Sequence, residues 1–248
     1  MTHLKQVPLA IALWVALSGS FQGQAQAVPT LPNANDPIVF NAPPPPSTGR
    51  PGRRADAGSR GCSGDETNAS ELTLTALVPT QVTASSTVVF GKTAAERPTF
   101  WFYVPYRSSS TATFVLQDQD GNSIYQSDMV LPETAGILSV TLPATSAPLE
   151  AGKLYHWFFK LYCRSTSPPD SFVDGWIQRE SLPSDLTQQL KTATLPQQVR
   201  LYAAQGLWFE ALSTAAEQRR ANSGDSAWAE LLRAIGLESV AGEAIVIP

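Results

Sequence analysis

Histidine is almost missing from this chain. Two occur in 248 residues, and His3 lies in a stretch that reads as a removable leader, which leaves His156 as the one imidazole of the mature protein. Cysteine is as scarce, with Cys62 and Cys163 alone. Zinc sites of the Cys/His type take three or four ligands at paired spacings, so no metal is expected here. A histidine-dependent nucleophile would have to use His156 as its base. The best serine for it is Ser226 in Gly224-Asp225-Ser226. That serine lies between two helical stretches without the glycines that flank a nucleophile elbow, and a turn with Asp225 or Ser226 as helix N-cap accounts for it.

Charge is thin too, at 15% of residues, with 17 basic against 21 acidic side chains and a net of −4. No basic excess means no electrostatic footprint for nucleic acid. Long apolar runs are also lacking. The run from Val7 to Leu17 falls short of the roughly 20 residues a membrane span takes, and no later segment reaches that length, so no transmembrane helix is expected. The glycines of Gly52 to Gly64 are followed by no lysine, so a phosphate loop fails, and no cofactor is expected.

What is present begins with the leader. Lys5, the apolar run and Ala25-Gln26-Ala27 form the pattern of a secretory signal over residues 1–27, which places the protein in the periplasm or outside the cell. From 28 to 70 the chain holds eight of its twenty prolines, including Pro43 to Pro46, and few large apolar residues after Phe40. Such a composition predicts a disordered linker, partly polyproline II. The arginines within 50–60 have no evident role.

Over 71–182 the period is that of strands. Runs at 72–78, 88–90, 99–104, 112–117, 137–142, 153–163 and 172–179 are rich in β-branched and aromatic residues, and 123–126 is an eighth. Their number and spacing predict an antiparallel immunoglobulin-like β-sandwich. Alternation in the run from Lys153 puts Tyr155, Trp157, Phe159, Leu161 and Cys163 on the inward face, and His156 and Lys160 on the wetter one. Asp118-Gln-Asp-Gly-Asn122 reads as a hairpin turn; its glycine stands at the fourth place, not the sixth of a calcium loop.

After Pro183 the pattern turns helical, with helices expected at 184–192, 196–205, 207–221 and 225–235, Ser184 as N-cap and Pro196 in the first position. This C-terminal unit, 183–248, is expected as a short antiparallel helical bundle. Gly206-Leu-Trp-Phe-Glu-Ala211 has the small-aromatic-small spacing of one tetratricopeptide-like hairpin, too few for an array.

In an exported chain two cysteines read as one disulfide, Cys62 to Cys163. Trp101, Tyr103, Trp176 and Trp208 are candidate partner-binding aromatics. Three functions are then open: a non-catalytic module binding an envelope protein or a glycan, a carboxylate-type hydrolase of envelope polysaccharide, and a structural assembly factor.

Gly52-Arg-Arg54, Gly58-Ser-Arg-Gly-Cys62, Leu74-Thr-Ala-Leu-Val-Pro79, Thr93 through Tyr106 and Gly175-Trp-Ile-Gln-Arg179 together resemble the cyanobacterial family known as domain of unknown function 928, over about residues 50 to 243. The resemblance implies exported proteins and adds no catalytic residue.

Overall fold

In the run Thr99-Phe-Trp-Phe-Tyr-Val104 both faces are apolar, which demands cover on both sides. The computed structural model, which describes residues 30–47, 50–56, 72–83, 86–105, 110–163 and 168–246, supplies it. Strands β1 (Thr75–Ala76), β4 (Thr99–Val104) and β7 (Gly136–Thr141) form a three-stranded antiparallel sheet with β4 at its centre. Phe100 and Phe102 project from β4 toward a second sheet: Phe102 stacks on Phe159 at 4.2 Å and Phe100 lies 4.8 Å from Phe114. On its other face Trp101 meets Trp228 of the helical layer edge-on at 5.5 Å.

The second sheet has six strands in the order β2-β3-β9-β8-β5-β6. They are β2 (Thr80–Val82), β3 (Thr87–Thr93), β5 (Thr111–Gln117), β6 (Ser123–Val130), β8 (Leu154–Tyr162) and β9 (Ser171–Arg179). Each expected run contains a strand, but the first, expected over 72–78, shrinks to Thr75–Ala76, and β2 lies beyond it, past Pro79, where no strand was expected. Pro79 has no N–H to give a ladder, its carbonyl accepts from Phe90 N–H, and the eighth run extends to Val130. The expectation of a wholly antiparallel fold needs one correction. β3 and β9 are parallel, pairing Phe90 with Trp176 through Thr93 with Arg179, which is feasible because the intervening chain is long enough for a crossover.

Helices α1 (Ser184–Thr192), α2 (Leu195–Ala204), α3 (Trp208–Ala221) and α4 (Ala227–Ala234) follow, close to their expected limits. The cap of α1 is Pro183, with Ser184 as its first helical residue, and Pro196 takes the second position of α2 behind a Thr194/Gln197 capping box. Gly206 turns α2 into α3 at φ +71°, and a Cβ there would lie 2.6 Å from the Asn41 carbonyl oxygen, so only glycine fits. Sheets and helices share one core, within a compact unit from Leu31 onward.

The disordered linker expected over 28–70 does not describe residues 31–47 and 50–56. Phe40 packs edge-on against Trp208 at 4.9 Å. Asn41 N–H donates to Ala203 O (3.1 Å), Gln197 Nε2 to Pro32 O (3.0 Å) and Arg200 Nε to Asp36 O (2.6 Å). Further on, Arg53 and Asp174 exchange two 3.0 Å backbone bonds, and Ala55 bridges Thr75. Composition misleads here because two aromatic or aliphatic anchors and backbone pairing suffice when a preformed sheet edge and helix pair receive the segment.

Candidate functional site

The alternation of β8 is as expected: Trp157, Phe159 and Leu161 are fully buried, while His156, Phe158 and Lys160 point to the outer face of the six-stranded sheet. Register decides their neighbours. His156 lies opposite Trp176 and Gln117, Phe158 opposite Asp174 and Val115, Lys160 opposite Phe172 and Thr113.

At the centre His156 Nε2 donates to Asp174 Oδ2 at 2.8 Å. The other carboxylate oxygen, Oδ1, accepts from Arg53 N–H at 3.1 Å. The imidazole stacks on Trp176 (4.2 Å, 8° between planes) and lies 4.1 Å from the Phe158 ring. Lys160 Nζ sits 5.3 Å above Phe158, and the Arg53 guanidinium 4.3 Å above Phe172. Phe158, Tyr162 and Phe172 are half-buried, with Gln126 and Asp128 exposed beside them on β6. This is a row of flat rings bordered by hydrogen-bonding side chains. Among the described residues the hydrogen-bond partner of His156 is Asp174, its ring lies between Trp176 and Phe158, and both Asp174 oxygens are engaged.

Three arginines within 50–60 acquire roles that no local pattern signalled, Arg60 lying outside the described residues. Arg53 covers Phe172 and pairs with Asp56 at 3.4 Å. Arg54 reaches the Ile235 carbonyl at 2.7 Å, in a half-buried setting whose desolvation lowers the guanidinium pKa from its ordinary value. Arg50 O accepts from Trp176 Nε1 at 2.9 Å.

The four candidate partner-binding aromatics are all buried. Trp101 (3% exposed), Tyr103 (2%), Trp176 (6%) and Trp208 (0%) are interior. Trp101 Nε1 donates to Ser213 Oγ (3.1 Å) and Trp208 Nε1 to Leu77 O (2.8 Å). Single-strand alternation registers no second covering layer, which is what buries them.

Two further motifs resolve into local structure. Asp118 Oδ1 accepts from Asp120 N–H (3.0 Å) and Asn122 N–H (2.8 Å), Oδ2 from Asn122 Nδ2 (2.9 Å), and Gly121 takes φ +87°. Those bonds, the Asn122 side chain first, hold the carboxyl below its usual range in a hairpin turn. Asp225 Oδ1 accepts from Ala227 N–H at 2.9 Å, as a capping residue would. Asp225 and Glu230 do share a cleft of about 210 Å³ with Ser226, Arg200, Gln218 and Asn35, the setting the hydrolase reading requires. Their oxygens accept from Ala227 N–H, Gln218 Nε2, Ser226 Oγ (2.6 Å) and Ile38 N–H (3.4 Å).

One buried carboxylate escaped sequence reading altogether. Glu210 Oε1 accepts from Thr93 Oγ1 (2.5 Å) and from Ala94 and Ala95 N–H (2.9 Å each), while Oε2 is buried without a hydrogen-bond partner among the described residues. Burial raises its pKa against those bonds.

Cys163 closes β8 on the core side, its N–H donating to Asp170 Oδ2 at 2.8 Å. Cys62 lies outside the described residues.

A family model described as Domain of Unknown Function (DUF928) matches residues 55–245. Comparison with curated proteins finds no match. Among solved structures, a β-glucuronidase of Bifidobacterium dentium in complex with coumarin-3-O-glucuronide shows 9% identity and a TM-score of 0.26 over 43% of this chain. This chain spans 17% of that enzyme's length.

Proposed function

The chain belongs to the family described as Domain of Unknown Function (DUF928), a description that names no reaction, and we propose that it is an exported, non-catalytic module binding a glycan of the cell envelope. The observation that supports this reading is the outer face of β5, β8 and β9. There Phe158, Tyr162 and Phe172 lie half-buried among Lys160, Thr113 and Gln117, a pairing of flat apolar rings with hydrogen-bond donors and acceptors that suits the two-sided character of a sugar ring. His156 and Asp174 fix the rings, since the imidazole is clamped between Phe158 and Trp176.

Co-sedimentation of the secreted protein with purified envelope polysaccharide tests this. Phe158→Ala removes an apolar surface worth about 1.5–3 kcal/mol when buried, so retention should fall about tenfold or more, and Lys160→Ala should weaken it less. Unchanged retention in both variants would sink the reading. Retention by envelope protein alone would replace the glycan with a protein partner.

The export signal over 1–27 and a Cys62–Cys163 disulfide form part of the same proposal. Asp56 is tied to Ser171 Oγ at 2.7 Å, and Ser171 pairs with Leu161, two positions before Cys163. Six residues reach about 20 Å, ample for Cys62 to arrive at that strand end. Non-reducing peptide mapping of secreted material should recover the two cysteines in one linked peptide. Two alkylated thiols would refute the bond.

A further inference from the structure

Sheet edges invite other strands, and proteins ordinarily blunt them with lysine, proline, bulges or a covering segment. Among the described residues three of the four edges here are managed. β7 is bridged through Ile137 to Ile245, β1 through Thr75 to Ala55, and β2 is three residues long. β6 is different. It runs eight residues; its register against β5 shifts once, between Leu116 and Gln117, and from Tyr125 onward it pairs regularly, with one charge and no proline, to end on Val130, which is 69% exposed.

Its backbone is set up to receive a partner. Leu131 N–H donates to Ser110 O at 2.9 Å, and in an antiparallel ladder hydrogen-bonded pairs alternate with open ones. Met129, Ser127 and Tyr125 therefore spend their backbone groups on β5, whereas Gln126, Asp128 and Val130 aim theirs at an edge that no described residue covers. Thr113 Oγ1, 2.6 Å from Asp128 Oδ1, marks the close-approach pair this alternation requires.

The strand is also a palindrome in chemical character about Ser127: Ile-Tyr-Gln-Ser-Asp-Met-Val. We propose that a second copy of this chain pairs antiparallel with β6 across a two-fold axis at Ser127, joining two six-stranded sheets into one. In that register Tyr125 opposes Met129 of the other copy, and Gln126 opposes Asp128. Apolar meets apolar and the carboxylate meets an amide. An axis at Asp128 would oppose two carboxylates directly, and one at Gln126 would set Tyr125 against Ser127. The interface is isologous and closed, so it ends at a dimer. It does not depend on the glycan reading.

Sedimentation velocity on the secreted protein up to about 200 μM should show a reversible dimer. Gln126→Lys places two ammonium groups against the two Asp128 carboxylates and should tighten it about three- to tenfold. Gln126→Asp should weaken it by a similar factor. Val130→Pro removes an N–H that points away from β5, and should give a monomer with an unchanged circular dichroism spectrum. A wild type that stays monomeric, or two Gln126 variants that shift association in the same direction or not at all, would overturn the proposal.

Discussion

Trp208→Ala is expected to lower stability by about 3–5 kcal/mol and the melting temperature by about 10 °C or more for a domain of this size. The indole is fully buried at the start of α3. It carries three connections at once: its ring takes Phe40 edge-on at 4.9 Å, its Nε1 donates to Leu77 O at 2.8 Å, and its Cβ lies 3.4 Å from where a Cβ on Gly91 would stand. Alanine keeps the Cβ beside Gly91 but would leave a cavity, strand a buried carbonyl and release the N-terminal segment, and these losses compound because one indole serves both Phe40 and Leu77. Thermal unfolding followed by circular dichroism is the measurement. Val82→Ala, at a side chain 86% exposed, is the control that should move little. A Trp208→Ala protein that melts like wild type would show that the indole is not a core residue.

Glu210 should give the second large effect. Glu210→Ala removes the acceptor shared by Thr93 Oγ1 and the N–H groups of Ala94 and Ala95, at about 1–3 kcal/mol for each buried donor left unpaired; a total near 3 kcal/mol is expected. Glu210→Gln keeps an oxygen there and should cost less. The pH dependence has a definite sign. Burial raises the folded-state pKa above the ordinary glutamate value, so the unfolded chain loses this proton first as pH rises. Between the ordinary value and the raised one, wild type therefore loses stability relative to Glu210→Gln. The groups facing the site are Thr93, Tyr202 of α2, whose own pKa burial raises, and Arg179, whose Nε donates to Ala94 O at 3.3 Å. Denaturant titrations of both proteins at about pH 4.5 and 7 measure the difference. A gap that moves toward wild type on raising the pH would mean that the three donors hold Glu210 ionised.

How much could be read in advance follows the range of the interactions. The alternation from Lys153 to Cys163 placed His156 and Trp157 on their correct faces, since pleat alone sets that. The turn at Asp118 and the break at Gly206 were legible for the same reason, each resting on one residue's backbone freedom. Trp101 and Tyr103 were not, because the face they occupy is decided by the helices that arrive some 110 positions later, as in the bond from Trp101 to Ser213. Nor was the pairing of His156 with Asp174: Asp174 belongs to another strand, and its second oxygen is held by a backbone N–H from Arg53, 121 positions away.

By itself, then, the chain's sequence determined most of its strands, its four C-terminal helices and their turns, and the scarcity of histidine and cysteine. These rest on contacts within a few residues, where propensity and periodicity act directly. Only the tertiary structure decided that β4 is an inner layer, that residues 50–56 extend a sheet, that β3 and β9 run parallel and that Glu210 is buried. Each of those depends on which distant surface covers which face, and burial is a property of the pair of surfaces, not of either segment alone.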